Sequence, residues 1–188
     1  MEFFYQIDLF LFKFINQTAE NSVFDQLMPA ITDLHLNKWF SIPVLIILLA
    51  VFIRKYQRMG ITYFLFLILA VSTSDFTGAK VKRIVQRPRP FQNIEAQAIQ
   101  RSPAGKNNSF YSNHASNNFT FATLMSFAFP SARITLFAIA GLISFSRVYN
   151  GVHYPIDIFC GALAGLFWGW IFYTILQKII FNFRKKSI

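Results

Sequence analysis

Apolar segments broken by short polar ones dominate the chain after residue 37. Five of them reach or approach the length that a helix needs to cross a hydrocarbon core. They cover residues 39–53, 61 to about 79, 115–129, 134–145 and 155–181. The pattern predicts an all-α, polytopic membrane bundle of about five transmembrane helices within residues 38–182. In the last segment glycine recurs every fourth residue, at Gly161, Gly165 and Gly169, which predicts close packing against a neighbouring helix.

Residues 3–16 form a shorter apolar segment through which Asp8 and Lys13 are spaced. Because the segment is short for a span, the pattern predicts an amphipathic helix lying in the membrane interface. It is not typical of a signal peptide, since Glu2 stands where a basic region is expected and the two charges interrupt the apolar run.

Residues 18–37 are mixed in character and contain Pro29 and His35. They indicate a second interfacial segment or a turn, with His35 at the surface or at headgroup level. We expect residues 1–188 to form a single membrane-embedded domain, of which residues 1–37 are the interfacial N-terminal region.

Composition supports the membrane assignment, and the positions of the charged residues indicate which partners the net positive charge favours. Apolar residues make up 54% of the chain and 24 residues are Phe, whereas only 14% are charged. The net charge of +10 is compatible with nucleic acid, anionic lipid or a phosphate substrate. The cations cluster at the ends of apolar spans, so we expect the lipid bilayer and a phosphorylated membrane lipid as partners, and no nucleic acid. The single cysteine, Cys160, lies in an apolar run and indicates neither a disulfide framework nor a cysteine metal site.

Counting the crossings places the loops 83–111 and 146–154 on one membrane face. The opposite face carries Arg54, Lys55, Arg58, Arg133 and the basic C-terminal tail. Cytoplasmic loops are enriched in Lys and Arg, which assigns this second face to the cytoplasm and the two loops to the outer side. Residues 80–106 hold seven Lys and Arg of their own. Cations committed to a phosphate site would explain that excess, and an inverted topology is the alternative.

Residues 146–157, Ser-Arg-Val-Tyr-Asn-Gly-Val-His-Tyr-Pro-Ile-Asp, place a cation, an imidazole and a carboxylate between two apolar runs. Pro155 suits the first position of a helix, because its missing N–H is no loss there. His153 then precedes the last helix and Asp157 lies in its first turn. The planar fork of Arg147 fits phosphate oxygens, and a histidine backed by a carboxylate can act as nucleophile or acid–base. A loop whose His and Asp merely cap a membrane helix would have the same sequence.

Residues 80–90, Lys-Val-Lys-Arg-Ile-Val-Gln-Arg-Pro-Arg-Pro, form a basic run at the end of the second span. Such a run usually marks a helix end at headgroup level. The repeated Arg-Pro indicates more, because proline restricts both itself and the residue before it and holds each arginine extended. Asp75 lies near the end of the same span, where an unpaired acid is costly, so we expect a Lys or Arg of this run to pair with it.

Residues 110–117, Phe-Tyr-Ser-Asn-His-Ala-Ser-Asn, open the third span. Ser112 is a good N-cap, which places the N–H groups of Asn113 and His114 at a helix N-terminus, where anions bind. Capping alone explains Ser112 but not the histidine. The crossing count puts all three clusters at one end of the bundle, where cations, helix N-termini and two imidazoles would bind and cleave a phosphate ester.

The three clusters together resemble the signature of the type 2 phosphatidic acid phosphatase family, which shares its core with the vanadium haloperoxidases. The first motif of that family is Lys, six residues, then Arg-Pro. It is matched by Lys82 with Arg89, and in a second register by Lys80 with Arg87. We prefer Lys82 and Arg89, because the ending Arg-Pro-Arg-Pro-Phe resembles bacterial members in that register.

The other two motifs follow in the family's order. Pro-Ser-Gly-His is matched at Ser112 and His114, whereas Tyr111 and Asn113 replace its proline and glycine. Asn113 keeps the backbone donor but adds bulk. The third motif, Ser-Arg, five residues, His, three residues, Asp, is matched in full by Ser146, Arg147, His153 and Asp157. The resemblance covers roughly residues 60 to 180.

The resemblance implies a six-helix membrane core and a phosphatase that needs no metal or other cofactor. His153 would attack phosphorus and form a phosphohistidine, with Asp157 holding its other ring nitrogen. His114 would protonate the leaving group and then help to activate water. The residues that would bind phosphate are Lys82, Arg89, Ser112, Asn113 and Arg147. Secondary members of the site would be Lys80, Arg87 and Asp75.

The resemblance further implies an enzyme of a bacterial inner membrane with its site on the periplasmic or outer side. Lipid A 1-phosphate is the preferred substrate, by similarity to bacterial lipid A 1-phosphatases. Undecaprenyl diphosphate, phosphatidylglycerol phosphate and phosphatidic acid are alternatives. Two other functions stay open: a metallophosphatase with His114, His153 and Asp157 as ligands, and a non-catalytic lipid-binding or channel-like protein with a basic mouth.

Overall fold

The computed structural model describes residues 2–105 and 108–186, apart from the side chains of His35 and of residues 182–186. This part of the chain is helical and contains no strand, which confirms the all-α prediction. The α-helices are α1 (Glu2–Lys13), α2 (Ser22–Thr32), α3 (Lys38–Tyr56), α4 (Gly60–Val85), α5 (Asn113–Ala128), α6 (Arg133–Tyr149) and α7 (Pro155–Lys186).

The helices form the bundle that the apolar segments predict. By length and composition, three stretches can cross a membrane: Lys38–Gln92, which contains both α3 and α4, Pro130–Tyr149 and Pro155–Phe181. The predicted third span, α5, has only 16 residues and is not among these stretches. It packs between α4, α6 and α7. The bundle is therefore built around α5, and the longer apolar helices surround it.

Helix α7 packs against α5 along a glycine ridge that consists of Gly161, Gly165 and Gly169, as the spacing predicts. A Cβ atom at Gly161 would lie 2.6 Å from the carbonyl oxygen of Ser112, and one at Gly165 would lie 2.7 Å from Cβ of Phe119. Real Cβ atoms do not approach other atoms so closely. The two backbones can therefore meet only because these positions of α7 are glycine, which has a hydrogen atom in place of a side chain. The contact holds the N-termini of α5 and α7 side by side.

Helix α4 extends six residues beyond the predicted end of the second span, to Val85. The polar residues in its second half do not end the helix, because the hydroxyl groups of Thr73 and Thr77 donate to carbonyl groups one turn earlier, at 2.8 and 2.9 Å. Lys82 therefore lies in the last helical turn. Gln86 then adopts a left-handed conformation, with φ of 51°, and turns the chain into the loop that follows.

The N-terminal region is helical and packs on the bundle. Helix α1 confirms the predicted helix, and Ser22–Thr32 forms the second helical segment, α2. Phe12 of α1 is fully buried, and its ring centroid lies 5.4 Å from that of Tyr154. Asn16 donates to the carbonyl groups of Ile99 and Tyr149 at 2.9 and 2.8 Å. This region thus covers the end of the bundle at which the three sequence motifs lie.

The glycine ridge yields a stability prediction. Gly165→Ala would insert a methyl group between α7 and α5, and overpacking of this kind costs about 1–3 kcal/mol of unfolding free energy. Gly141→Ala, in α6, is the matched control, because a Cβ atom there meets nothing within 4 Å. Alanine's higher helix propensity should leave that variant unchanged or more stable by up to about 1 kcal/mol. Unfolding of the purified protein in detergent, followed by tryptophan fluorescence, measures both. Equal effects of the two substitutions would contradict the packing argument.

Candidate active site

His153 lies at the centre of the site, in the short loop between α6 and α7. Its side chain is 2% exposed. Its Nε2 atom lies 3.3 Å from Nη1 of Arg89, and its Nδ1 atom lies 3.5 Å from Oδ2 of Asp157. The second distance exceeds an ordinary hydrogen bond, so the carboxylate faces Nδ1 without closing on it. The imidazole therefore has a guanidinium at one ring nitrogen and a carboxylate near the other.

The loop that carries His153 is held by the end of α6. The N–H groups of Val152 and His153 donate to the carbonyl oxygen of Arg147 at 3.1 and 3.3 Å. Gly151 has a positive φ of 75°, and a Cβ atom there would lie 2.5 Å from the carbonyl oxygen of Ile99. Only glycine fits this combination of conformation and close approach. Gly151 thus allows the sharp turn of the backbone between the end of α6 and His153.

Asp157 is fully buried in the first turn of α7, and Pro155 is the first residue of that helix, as predicted. Oδ2 of Asp157 accepts the backbone N–H of Tyr154 at 2.9 Å, and Oδ1 accepts Nη1 of Arg87 at 2.8 Å. Both carboxylate oxygens are therefore satisfied without a closed bond to His153. A buried carboxylate requires such compensation.

Two cations of the first motif reach the site from the end of α4 and the loop after it. Nη1 of Arg89 donates to the carbonyl oxygen of Val152 at 2.9 Å, and the side chain is buried beside His153. Nζ of Lys82 is also buried and donates to the carbonyl oxygens of Ser109 and Tyr111. Both cations are thus held near His153, close enough for their charges to act on its imidazole.

Arg147 is the third cation. It is 4% exposed, and its Nη1 atom donates to Oγ1 of Thr32 at 2.8 Å and approaches Asp33 at 3.5 Å. It lies close enough to Arg89 for the two like charges to repel. No acceptor for the buried Nε–H of Arg147 is found in the described part of the chain. A buried unpaired donor on a cation suits an anionic oxygen.

The second motif opens α5 at the same end of the bundle. Oγ of Ser112 accepts the N–H of Ala115 at 3.4 Å, which confirms the predicted N-cap. The backbone N–H of Ser112 donates to the carbonyl oxygen of Asp157 at 3.0 Å. This bond ties the start of α5 to the first turn of α7. Asn113 and His114 are the first two residues of α5, and the His114 side chain is half-buried.

The prediction that Asp75 pairs with a lysine or arginine is wrong. Its Oδ1 atom accepts Nδ2 of Asn113 and Nδ2 of Asn117, both at 2.9 Å, and no ion pair to Asp75 is found among residues 2–105 and 108–186. The cations of the basic run point elsewhere: Lys82 reaches loop carbonyls, and Lys80 lies 4.6 Å from the ring centroid of Phe76. Two amide groups one helical turn apart satisfy the acid instead.

The two registers of the first motif have different surroundings. Lys80 is exposed, and Arg87 lies on the far side of Asp157 from His153. Arg87 also contacts Asp8 of α1 at 2.5 Å. Sequence reasoning missed Asp8 as a member of the site, because nothing in the pattern of α1 indicates which element its acid contacts. Its only sequence signal is a carboxylate placed in an otherwise apolar segment.

The surroundings of His153 favour its neutral form. Burial, with smaller contributions from the nearby Arg89 and Lys82 charges, lowers the pKa of this imidazole from 6.5 to about 3, against the opposing influence of Asp157. The imidazole is therefore uncharged at neutral pH and holds a lone pair on one ring nitrogen. Among the described residues, no group of three or more His, Cys, Asp and Glu side chains is placed to hold a metal ion.

This geometry can bind and attack a phosphate group. Lys82, Arg89 and Arg147 supply positive charge, and the N-terminus of α5 adds backbone donors. A neutral imidazole with a carboxylate near Nδ1 can attack through Nε2 while the carboxylate stabilises the charge that develops on the ring.

Comparison with known proteins finds two curated phosphatases and a crystal structure that are similar to this chain. A curated lipid A 4'-phosphatase of Bacteroides thetaiotaomicron is 28% identical over 195 residues, which cover 100% of this chain and 84% of that protein. An undecaprenyl-diphosphatase of Sulfolobus acidocaldarius is 29% identical over 142 residues, which cover 75% of this chain and 64% of that protein. The crystal structure of Aquifex aeolicus LpxE superposes with a TM-score of 0.74 at 30% identity, covering 89% of this chain and 95% of the other.

A family model agrees with both the motifs and the fold. The model of the PAP2 superfamily matches residues 60–181, which contain all three motifs. The resemblance seen in the motifs is thereby confirmed, and the chain belongs to the PAP2 superfamily.

Proposed function

We propose that this chain, a membrane lipid phosphatase of the PAP2 superfamily, removes phosphate from a phosphorylated envelope lipid through a phosphohistidine at His153. The observation that carries the proposal is the two-sided environment of the imidazole. Its Nε2 atom lies 3.3 Å from Arg89, on the cationic side of the site, and its Nδ1 atom faces Asp157. A nucleophilic imidazole needs one ring nitrogen on the side of the phosphate-binding cations and an acceptor near the other, and these are the surroundings of Nε2 and Nδ1.

The reaction proceeds in two displacements. First, Nε2 of His153 forms a bond to phosphorus, and the bond from phosphorus to the lipid oxygen breaks with its electron pair on that oxygen. Protonated His114 gives its proton to the departing oxygen. The imidazole now carries phosphate and a positive charge, which Asp157 stabilises from the Nδ1 side.

In the second displacement water attacks the phosphohistidine. Neutral His114 accepts a proton from that water as the new oxygen–phosphorus bond forms and the nitrogen–phosphorus bond breaks. Inorganic phosphate leaves, and both histidines return to their starting states. Lys82, Arg89, Arg147 and the N–H groups at the start of α5 bind the equatorial oxygens, so the protein mainly supplies position and charge.

We propose a lipid A phosphate as the physiological substrate. The whole length of this chain matches a protein named lipid A 4'-phosphatase, which supports a glycolipid phosphate and leaves its 1- and 4'-positions as alternatives. Undecaprenyl diphosphate is the second candidate, supported by the Sulfolobus acidocaldarius relative. We place the protein in a bacterial inner membrane with the site on the periplasmic side, because the opposite end carries Arg54, Lys55 and Arg133.

The metallophosphatase alternative requires a metal at the imidazoles. The guanidinium of Arg89 already lies at Nε2 of His153, and a second cation there would be repelled. The non-catalytic alternative explains the basic end of the bundle but gives no role to a buried histidine backed by a carboxylate.

A lipid panel tests the proposed reaction. Phosphate release is measured in detergent with lipid A phosphorylated at the 1- or 4'-position, undecaprenyl diphosphate, phosphatidylglycerol phosphate and phosphatidic acid. We expect fastest release from lipid A, inhibition by vanadate, and full activity in excess chelator.

His153→Ala should lower kcat by more than about 10³-fold, and His114→Ala by about 10²–10⁴-fold. His35→Ala is the control, because this third histidine belongs to none of the motifs. Loss of turnover with chelator, or turnover retained by His153→Ala, would overturn the mechanism.

The neutral imidazole gives a second prediction, on pH and stability. The unfolded chain binds a proton at residue 153 below about pH 6.5, whereas the folded protein binds it only near pH 3. The stability contributed by the unprotonated site is complete above pH 6.5 and is lost as the pH falls. The unfolding free energy of the wild type should therefore fall by about 2 kcal/mol more than that of His153→Gln between pH 7 and pH 5. Parallel pH profiles for the two proteins would contradict the lowered pKa, because they would show that the folded protein protonates the imidazole at the same pH as the unfolded chain.

A further inference from the structure

Helix α1 brings a buried carboxylate to the back of the site. Asp8 is 6% exposed. Its Oδ1 atom accepts the backbone N–H of Ile156 at 2.9 Å, and its Oδ2 atom accepts Nη2 of Arg87 at 2.5 Å. The Ile156 N–H is one of the donors that α7 cannot satisfy within itself. Asp8 therefore caps the helix that carries Asp157, from a helix at the other end of the sequence.

Arg87 connects Asp8 to the catalytic centre. One nitrogen of its guanidinium contacts Asp8, and the other donates to Oδ1 of Asp157 at 2.8 Å. Its guanidinium carbon lies 4.0 Å above the ring of Tyr154, which fixes the plane of the fork. Asp157 in turn faces Nδ1 of His153. The two arginines of the Arg-Pro-Arg-Pro sequence thus lie on opposite sides of the imidazole, with Arg89 at Nε2.

The charges of Asp8, Arg87 and Asp157 give a reason for the second acid, Asp8, behind the site. With Arg87 alone, the charge of Asp157 would be balanced by a full cation, and little negative charge would face the imidazole. Asp8 shares that cation, so two carboxylates and one guanidinium leave a net charge of −1 behind Nδ1. The imidazole becomes positive when Nε2 bonds to phosphorus, and a fixed negative charge at low dielectric then lowers the barrier.

We propose that Asp8 is a positioning residue of the phosphatase, which acts through Arg87 to keep Asp157 oriented and negatively charged toward His153. The inference rests on the proposed function, since it requires His153 to be the nucleophile. It makes α1 part of the catalytic unit and gives the N-terminal region a role in the chemical step.

The test separates chemistry from phosphate binding. Asp8→Asn should lower kcat by about 10–100-fold, as is usual when the partner of a reacting group is lost. KM and the inhibition constant for vanadate should change by less than about threefold, because Asp8 does not contact the phosphate-binding cations Lys82, Arg89 and Arg147. Asp8→Glu, which retains the charge, should recover part of the loss. Glu20→Gln is the matched control, since it removes the carboxylate of another N-terminal ion pair, 3.1 Å from Arg101, and should retain wild-type kcat.

A double-mutant cycle tests the coupling through Arg87. Because the three side chains act as one unit, Asp8→Asn combined with Arg87→Gln should be no slower than Arg87→Gln alone, whereas independent effects would multiply. If Asp8→Asn does not fold, Arg87→Lys, which retains the cation but not the fork, should likewise lower kcat at constant vanadate inhibition.

Three results would overturn the inference: wild-type kcat in Asp8→Asn, multiplicative effects in the cycle, or a parallel loss of vanadate binding and kcat that Asp8→Glu does not relieve. The last result would reduce Asp8 to a structural cap. A wild-type protein that releases phosphate from none of the lipids would instead contradict the proposed function, so the two failures are distinguishable.

Discussion

The structure depends on the compensation of one buried carboxylate. Asp157 is fully buried, and a charge in that position is tolerated only when protein groups replace its lost hydration. Arg87 reaches Asp157 from a distant part of the chain, the loop after α4, and the N–H of Tyr154 reaches it from the residues just before α7. The carbonyl oxygen of the same residue accepts the N–H of Ser112 at the start of α5. Folding around this acid therefore assembles the site.

The same arrangement concentrates positive charge at one end of the bundle. The N-termini of α5 and α7 lie side by side, and their partial positive charges add to those of Lys82, Arg89 and Arg147. Two of these cations are close enough to repel each other. In the proposed reaction a bound phosphate would relieve this repulsion. The site would then be complementary to the reacting group of the proposed reaction, and the folded protein bears the electrostatic cost of gathering the cations in advance.

Much of this follows from local sequence. Ser112 and Pro155 mark two helix starts through capping and fixed φ, and the glycine spacing of α7 predicts its close contact with α5. These signals depend on residues within a few positions of one another. The fold class and the end of the bundle at which the motifs lie were predictable for that reason.

The groups that Asp8 and Asp75 contact could not be predicted from the sequence. Asp8 caps α7 across a separation of 148 residues, and Asp75 is satisfied by two asparagines of α5 in place of the nearby cations. Both contacts are set by how helices pack, which hydrophobic periodicity does not specify. The length of α4 was underestimated for a related reason, because threonine hydroxyls bond back to the helix and remove the polar cost that seemed to end it.

Trapping the covalent intermediate tests the account most directly. Substrate labelled with ³²P in its phosphate is mixed with the wild type for milliseconds, or with His114→Ala enzyme, in which both displacements are slowed, and each reaction is quenched with base. We predict a label that is stable to base and labile to acid, located on the peptide that contains His153. A label on another residue, or phosphate release by the wild type with no labelled protein at any time, would contradict the account.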